Sequence, residues 1–179
     1  MRSTRRQTMV AATILAIAGP ALVSAPGAAA STPRPVPPRA VSPAPSRCPT
    51  SHLRARLLLP DAGAGQRYLP VQITNAGGVS CTLHGFGGFG LLDGRHRPLP
   101  ALVTRDGSAA DAHTITLRPG RSAVTVVHYS ALGGASPADY THPAFLVITP
   151  PDAVHHVTVA FTDQVFQGRL DSHPYTASR

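Results

Sequence analysis

Apolar side chains recur at every second position through much of the chain, and this alternation restricts the possible folds more than any other feature. Residues 52–59 show it first, with apolar side chains at Leu53, Ala55, Leu57 and Leu59 on one face and Arg54 and Arg56 on the other. A period of two is typical of a half-buried β-strand, because successive side chains of a strand point to opposite faces. No window of a dozen residues has an apolar stripe at helical spacing, so the sequence predicts an all-β protein.

Further segments of this kind follow at intervals of about 8 to 12 residues, which is the spacing of strands in an antiparallel β-sandwich. They are residues 69–73, 115–117, 123–129, 145–148 and 154–161. Gly, Pro, Asn and Asp separate them, and these residues favour turns. The sequence therefore predicts an antiparallel sandwich of about seven to nine short strands.

The stretch GFGGFG at residues 85–90 has the G-x-G-x-x-G spacing of a dinucleotide-binding loop. Such a loop requires a helix after it, because the helix N-terminus holds the pyrophosphate. Residues 91–100 contain a turn and two prolines instead. We therefore interpret the glycines as bends or bulges, expect Phe86 and Phe89 to pack inward, and expect no cofactor.

The N-terminal region divides into two segments that precede the domain. Residues 1–30 have a basic start, an apolar run and small residues at the end, which is the pattern of a cleavable export signal. The apolar run is shorter than the ~20 residues that span a bilayer, so we expect no membrane span after cleavage. Arg5-Arg6 raises the twin-arginine route beside the general secretory one, and both stay open.

Residues 31–47 contain six prolines, which favour either an extended stalk or a disordered tail. We expect the β-sandwich domain at residues 48–170 and a flexible tail at residues 171–179. The formal charge of the whole chain is +8, but from Cys48 onward ten arginines face eight aspartates. No basic cluster with interleaved aromatic residues occurs there, so we expect no nucleic-acid partner.

The two cysteines, Cys48 and Cys81, indicate a disulfide, because an even number of cysteines in an exported chain usually pairs. On the chain-entropy model, a bridge that closes about 33 residues stabilises the fold by roughly 3 to 4 kcal/mol. Lysine and glutamate are absent from the chain. Their absence excludes a Schiff-base lysine, a P-loop lysine and an H-E-x-x-H zinc peptidase.

Several short motifs follow the pattern of one known family. They are Cys48, Asn75, Cys81-Thr82-Leu83, Gly85-Phe86, Gly88, Leu91 with Asp93, Thr116 to Ala123 and Pro150-Pro151. They resemble domain-of-unknown-function family 4232, a group of exported actinobacterial domains, over roughly residues 48–170. The chain departs from the family at Gly87, where proline is usual, and it lacks the second cysteine pair of many relatives. The resemblance implies an immunoglobulin-like sandwich, often associated with the cell envelope, and brings no catalytic residue.

Nine histidines raise the question of a metal site, and His155-His156 is the densest pair. Adjacent residues of a strand point to opposite faces, so a site would need one of them with a ligand from a neighbouring strand, for example His155 with His142 or His128. No spacing matches a recognised zinc or copper pattern, so we expect no metal and keep a histidine-based metal-binding protein as the alternative.

Two short segments supply the weak candidates for ligand contact. Arg95-His96-Arg97 is predicted to be a solvated loop, and the alternative is that it contacts an anionic ligand. His155 is the other candidate. Arg95, His96, Arg97 and His155 are therefore the four candidate ligand-contact residues taken from the sequence.

No arrangement of residues indicates catalysis. The nearest approach to a G-x-S-x-G elbow is Gly78-Val79-Ser80-Cys81-Thr82, which lacks the closing glycine. Nothing in the sequence pairs two aspartates for glycoside hydrolysis. We therefore expect no enzyme, and a hydrolase is the least favoured alternative.

The function predicted from these observations is binding or structural. Sugar binding is a competitor, but the chain has no tryptophan and only four tyrosines on which a sugar could stack. We expect a monomeric, secreted module, either extracellular or associated with the cell wall, with an unknown partner there. Its binding site is expected in loops at one end of the sandwich or on a sheet face.

Overall fold

The computed structural model describes residues 44–178. The predicted export signal, 1–30, and all but the last four residues of the predicted stalk lie outside the described residues. Those last residues already contact the domain, because Thr82 N donates to Ser46 O at 2.8 Å and Arg47 forms an isolated β-bridge with Thr82. Across residues 44–178, no helix is long and apolar enough to cross a membrane.

The described part of the chain is built of β-strands joined by turns and three short 3-10 helices, as the alternation predicted. The 3-10 helices are Thr50–His52, Ala109–Asp111 and Pro137–Asp139. The strands are β1 (Leu53–Leu57), β2 (Asp61–Gly63), β3 (Gln66–Asn75), β4 (Cys81–His84), β5 (Gly88–Leu92), β6 (Pro98–Leu99), β7 (Leu102–Arg105), β8 (Thr114–Leu117), β9 (Ser122–Ser130), β10 (Tyr140–Thr141), β11 (Phe145–Thr149), β12 (Val157–Ala160), β13 (Val165–Phe166), β14 (Arg169–Ser172) and β15 (Thr176–Ala177).

Two sheets and two strand pairs make up a sandwich-like arrangement. The main sheet has the order β1-β3-β9-β14-β7, with β2 added beside β3 and β15 added beside β9. The second sheet has the order β12-β11-β5-β6, while β4 pairs with β8 and β10 pairs with β13. The all-β sandwich predicted from the sequence is confirmed, and its immunoglobulin-like character stays a prediction.

Two details of the sheets differ from the sequence-based expectation. The fifteen strands exceed the expected seven to nine, because several are only two or three residues long and show no alternation. The pair β14–β7 is parallel, with Leu170 opposite Val103, whereas the other strand pairs described are antiparallel. Parallel strands need a long connection, and more than sixty residues separate β7 from β14. No local sequence pattern therefore predicts this pair.

The core lies between the sheets and follows the alternation of the strands. Leu69, Val71 and Ile73 of β3 are buried as predicted, and they join a single cluster with Leu146 and Ile148 of β11. Burying an aliphatic side chain of this size contributes about 1.5 to 3 kcal/mol. The main sheet and the second sheet therefore share one hydrophobic core.

The alternation overestimates the length of two strands. Leu59 was expected on the inner face of the first strand, but β1 ends at Leu57 and Leu59 is 91% exposed, because Pro60 has no N–H with which to continue the pairing. The strand expected at residues 154–161 begins only at Val157, because a turn in which Ala153 N donates to Pro150 O extends the preceding loop. Val154 is 90% exposed as a result.

The glycine-rich stretch is a strand that is packed closely, and its neighbours explain its composition. Gly88 begins β5, which pairs with β11. A Cβ at Gly87 would lie 3.0 Å from the Tyr175 ring and 3.2 Å from Thr149 O, so a side chain there would require these neighbours to shift by a few tenths of an ångström. Of the two phenylalanines expected to pack inward, Phe89 packs against the core, while Phe86 is half-buried.

The C-terminal residues differ from the flexible tail expected at 171–179. Strand β14 reaches Ser172, and β15 pairs with β9 through Thr176 opposite Val124. Tyr175, between the two strands, is buried with 1% of its surface exposed. The segment shows no alternation because the chain breaks between β14 and β15, and only tertiary packing makes it ordered.

Two polar or covalent features fasten the loops near Cys48. The predicted disulfide between Cys48 and Cys81 is present and buried. Asn75, at the end of β3, is also buried, and its Nδ2 donates to Val79 O at 2.8 Å and to Leu117 O at 2.9 Å. Its Oδ1 accepts from Gly77 N at 2.9 Å, so every polar atom of this side chain has a partner.

Candidate functional site

The predicted ligand-contact loop at Arg95-His96-Arg97 is a tight turn organised by Asp93. The Asp93 carboxylate accepts from Arg95 N at 2.8 Å and Arg97 N at 2.9 Å. Both Nε and Nη2 of Arg97 lie 2.7 Å from Asp93 Oδ2. His96 stacks on Phe145 with ring centroids 4.2 Å apart. Arg97 is therefore engaged within the turn, and a ligand contact for the three residues stays a prediction.

Hydrogen bonding perturbs the Asp93 carboxyl strongly. The donors, first the Arg97 backbone N–H and then its guanidinium, lower the pKa of Asp93 from 3.8 to about 2. Because these bonds favour the ionised form, Asp93 stays charged at every physiological pH. The turn thus presents a compensated pair of charges.

The histidines considered for a metal site lie in three different places. His155 lines an open cleft, His142 lines a polar pocket, and His128 lies on the outer face of the main sheet. Nowhere within residues 44–178 do three His, Cys, Asp or Glu side chains come together as a metal would require. His155 and His156 also fall outside β12, so the argument from opposite strand faces does not apply to them.

The cleft that contains His155 is an open concave feature with a volume of about 740 Å³. Residues 47–54, around the disulfide, form one wall, and residues 151–157 form the other. Two contacts hold the walls together: Thr50 Oγ1 donates to His155 O at 3.3 Å, and Arg47 Nη2 lies 3.6 Å from Asp152 Oδ2. The cleft therefore lies beside the edge strands β1 and β12.

The lining of the cleft combines apolar surface with positive charge. Pro151, Val154 and Val157 contribute apolar atoms, and Val154 is almost fully exposed. Arg54 and His155 also line the cleft, and the one acidic side chain in the lining, Asp152, already pairs with Arg47. Such a surface suits a ligand with an anionic group and an apolar part.

A connected group of polar side chains covers part of the outer face of the main sheet. The His128 ring stacks on Tyr68 with centroids 4.7 Å apart. Its Nδ1 lies 3.2 Å from Asp171 Oδ2 and its Nε2 lies 2.8 Å from Gln66 Oε1. The Thr104 hydroxyl, which donates to Asp171, is the main reason that the pKa of Asp171 is lowered. Both nitrogens of His128 thus have hydrogen-bond partners, which fixes the orientation of the ring.

A polar pocket of about 370 Å³ lies where β3 begins and β9 ends. Arg67 Nε lies 3.5 Å from Asp163 Oδ2, and the Tyr129 hydroxyl donates to the same oxygen at 2.8 Å. Burial, with the Asp163 hydrogen bond second, raises the pKa of Tyr129 above its usual range. Sequence reasoning missed this pocket, because Arg67, Tyr129 and Asp163 lie far apart in the chain and share no motif.

Comparison with known proteins places the chain in a family. The family model described as Domain of unknown function (DUF4232) matches residues 48–176, which is well over half of the chain. No curated protein and no solved structure matches it. The match includes the disulfide, the lining of the cleft except Arg47, and β14, and it extends beyond the C-terminal boundary expected from the sequence. The chain therefore belongs to the family Domain of unknown function (DUF4232).

Proposed function

We propose that this chain is an exported, non-catalytic binding module, secreted or held at the cell envelope, that works as a monomer. Its ligand carries an anionic group and a short apolar part and lies in the cleft between residues 47–54 and 151–157. The observation that carries the proposal is the lining of that cleft. A solvent-exposed Val154 beside Arg54 and His155 offers apolar contact and positive charge in one concave surface.

The construction of the cleft supports a binding role. The Cys48–Cys81 disulfide anchors one wall, and the Thr50–His155 hydrogen bond connects it to the other wall. A binding surface held in place before the ligand arrives loses less conformational entropy on binding, which favours affinity. Exposed loops on a rigid β-scaffold are common places for binding sites.

Export is supported by two independent features of the chain. The first 30 residues have the pattern of a cleavable signal. The disulfide is of the kind that persists in oxidising compartments and is rare in the cytosol. Both features are consistent with a domain that works outside the cytoplasm.

The proposal is tested by native mass spectrometry of the protein recovered from the culture medium and the cell-wall fraction of its producer. We expect a processed chain that lacks the signal, is two hydrogens lighter through its disulfide, and carries a bound anionic species. Size-exclusion chromatography with light scattering then checks the monomer.

Two substitutions assign the bound species to the cleft. Val154→Asp places a negative charge in the lining, so we expect it to abolish retention of the ligand, and Arg54→Gln should weaken it. Leu59→Asp is the matched control, because Leu59 is as exposed as Val154 but lies outside the cleft lining. Retention that is equal in Val154→Asp and in the control would contradict the cleft assignment, and a chain found only in the cytoplasm would contradict export.

A further inference from the structure

The polar pocket at the start of β3 has a charge arrangement that restricts its ligand, and it is separate from the cleft. Its volume of about 370 Å³ is within the range of small-molecule sites, which is roughly 300 to 1,000 Å³. Arg67 and Asp163 both line it, and their side chains are 29% and 38% exposed. A positive and a negative group thus face the same small space.

The Arg67 guanidinium keeps most of its donors for a ligand. Its Nε is 3.5 Å from Asp163 Oδ2, which is close enough for an ion pair but longer than the 2.7 to 3.2 Å typical of an N–H···O hydrogen bond, so this contact leaves the two terminal nitrogens of the guanidinium outside the pair. Its Nη1 donates to the neighbouring Gln66 O at 3.3 Å. A guanidinium has five N–H groups in a planar fork that matches a carboxylate, and within residues 44–178 this one makes a single hydrogen bond.

The Asp163 carboxylate, by contrast, is held firmly in place. The Tyr129 hydroxyl donates to Oδ2 at 2.8 Å, and Gln164 N donates to Oδ1 at 3.0 Å. An ionised carboxylate accepts about four hydrogen bonds, so these two donors leave room for a cation on the ligand. Because the Tyr129 phenol is buried and its pKa is raised, it remains a donor at neutral pH.

Charge complementarity then selects the class of ligand. A simple anion that approached Arg67 would be repelled by Asp163, and a simple cation that approached Asp163 would be repelled by Arg67. A molecule with a carboxylate and an ammonium on one carbon satisfies both groups at once. We propose that this pocket binds a free α-amino acid as its zwitterion, with the carboxylate on Arg67 and the ammonium on Asp163.

The neighbouring surface provides space for the side chain of the amino acid. A cavity of about 300 Å³ adjoins the pocket and shares His142 and Gln164 with it. Tyr140 and Pro137 contribute apolar surface to this cavity, and Tyr140 packs against Phe166 with ring centroids 5.9 Å apart. An apolar or aromatic side chain lies against this surface, so the pocket favours leucine or phenylalanine over glycine.

The test is a thermal-shift and calorimetric series on the disulfide-intact protein with L-leucine, L-phenylalanine and glycine as probes. Each probe is used at about 10 mM, because a ligand present at ten or more times its Kd raises Tm measurably. We expect L-leucine or L-phenylalanine to raise Tm and to bind at least tenfold more tightly than glycine. N-acetyl-L-leucine and L-leucine methyl ester each lack one charge, and we expect both to bind at least tenfold more weakly than L-leucine.

Variants assign the binding to the charged pair. Arg67→Gln and Asp163→Asn should each weaken binding of the preferred amino acid at least tenfold, while Arg56→Gln, at an arginine that contacts Gln72 elsewhere on the main sheet, should leave it unchanged. The single-charge analogues test the proposal even if a variant fails to fold. The proposal is overturned if neither L-leucine nor L-phenylalanine binds, if the analogues bind equally well, or if both folded variants keep wild-type affinity.

Discussion

Replacing Asn75 with alanine should cost this domain a large part of its stability, because the side chain holds three backbone groups together. It is 1% exposed, and its amide bonds to Val79 O, Leu117 O and Gly77 N at 2.8 to 2.9 Å. A protein hydrogen bond contributes about 1 kcal/mol net, and a buried partner left unpaired costs about 1 to 3 kcal/mol, so Asn75→Ala should lower the free energy of unfolding by about 3 kcal/mol.

The effect is measured by urea unfolding, with far-UV circular dichroism as the probe. The disulfide is kept intact so that the same unfolding transition is compared in the variant and in the wild type. For a domain of this length, about 3 kcal/mol corresponds to a fall in Tm on the order of 10 °C. Thr74→Ala is the control on the same strand, since Thr74 makes one half-buried side-chain hydrogen bond, to Ser122, and should cost at most about 1 kcal/mol.

A second substitution at the same position separates hydrogen bonding from simple loss of volume. Asn75→Asp keeps the acceptor for Gly77 N but directs a carboxylate oxygen at two carbonyl oxygens. Repulsion and burial raise the pKa of the introduced carboxyl in the folded state, so the variant should regain stability as the pH falls. An Asn75→Ala protein within 1 kcal/mol of wild type, at an unchanged m-value, would refute the reasoning.

Three further predictions follow from the contacts of single residues. Replacing both Cys48 and Cys81 with alanine should lower the free energy of unfolding by about 3 to 4 kcal/mol, and urea unfolding of the variant should match that of the reduced wild type. Tyr175→Phe should cost no stability, because the buried Tyr175 hydroxyl has no hydrogen-bond partner within the described residues. Tyr129→Phe should lower the free energy of unfolding by about 1 to 2 kcal/mol, because it removes the hydrogen bond to Asp163. Thermal unfolding of the two variants measures the difference. The Asp93 carboxyl should titrate with a pKa of about 2, below its ordinary 3.8, when its titration is followed by ¹³C NMR. The stability that its turn contributes is therefore complete above pH 3.8 and is lost as the pH falls through 2. A normal pKa would contradict the hydrogen bonds described for Asp93.

The extent to which the binding surfaces were predictable differs from one residue to another. The sequence singled out His155, and the structure places it in the cleft, but it gave no indication that Val154 and Arg54 lie in the same lining. It also singled out Arg95 to Arg97, where Asp93 turned out to engage Arg97 within the turn. A single chain shows which side chains are present, whereas pairing across almost a hundred residues, as between Arg67 and Asp163, leaves no local pattern.

Local sequence was sufficient to predict the properties that depend on neighbours along the chain. Period-two alternation specified an all-β domain, because side chains of a strand must alternate between core and solvent, and it identified Leu69, Val71 and Ile73 as core residues. Two cysteines specified one disulfide. The parallel β14–β7 pair, the burial of Tyr175 and the two proposed binding surfaces emerged from the folded structure alone. Each depends on contacts between segments that are distant in sequence and brought together by a shared core.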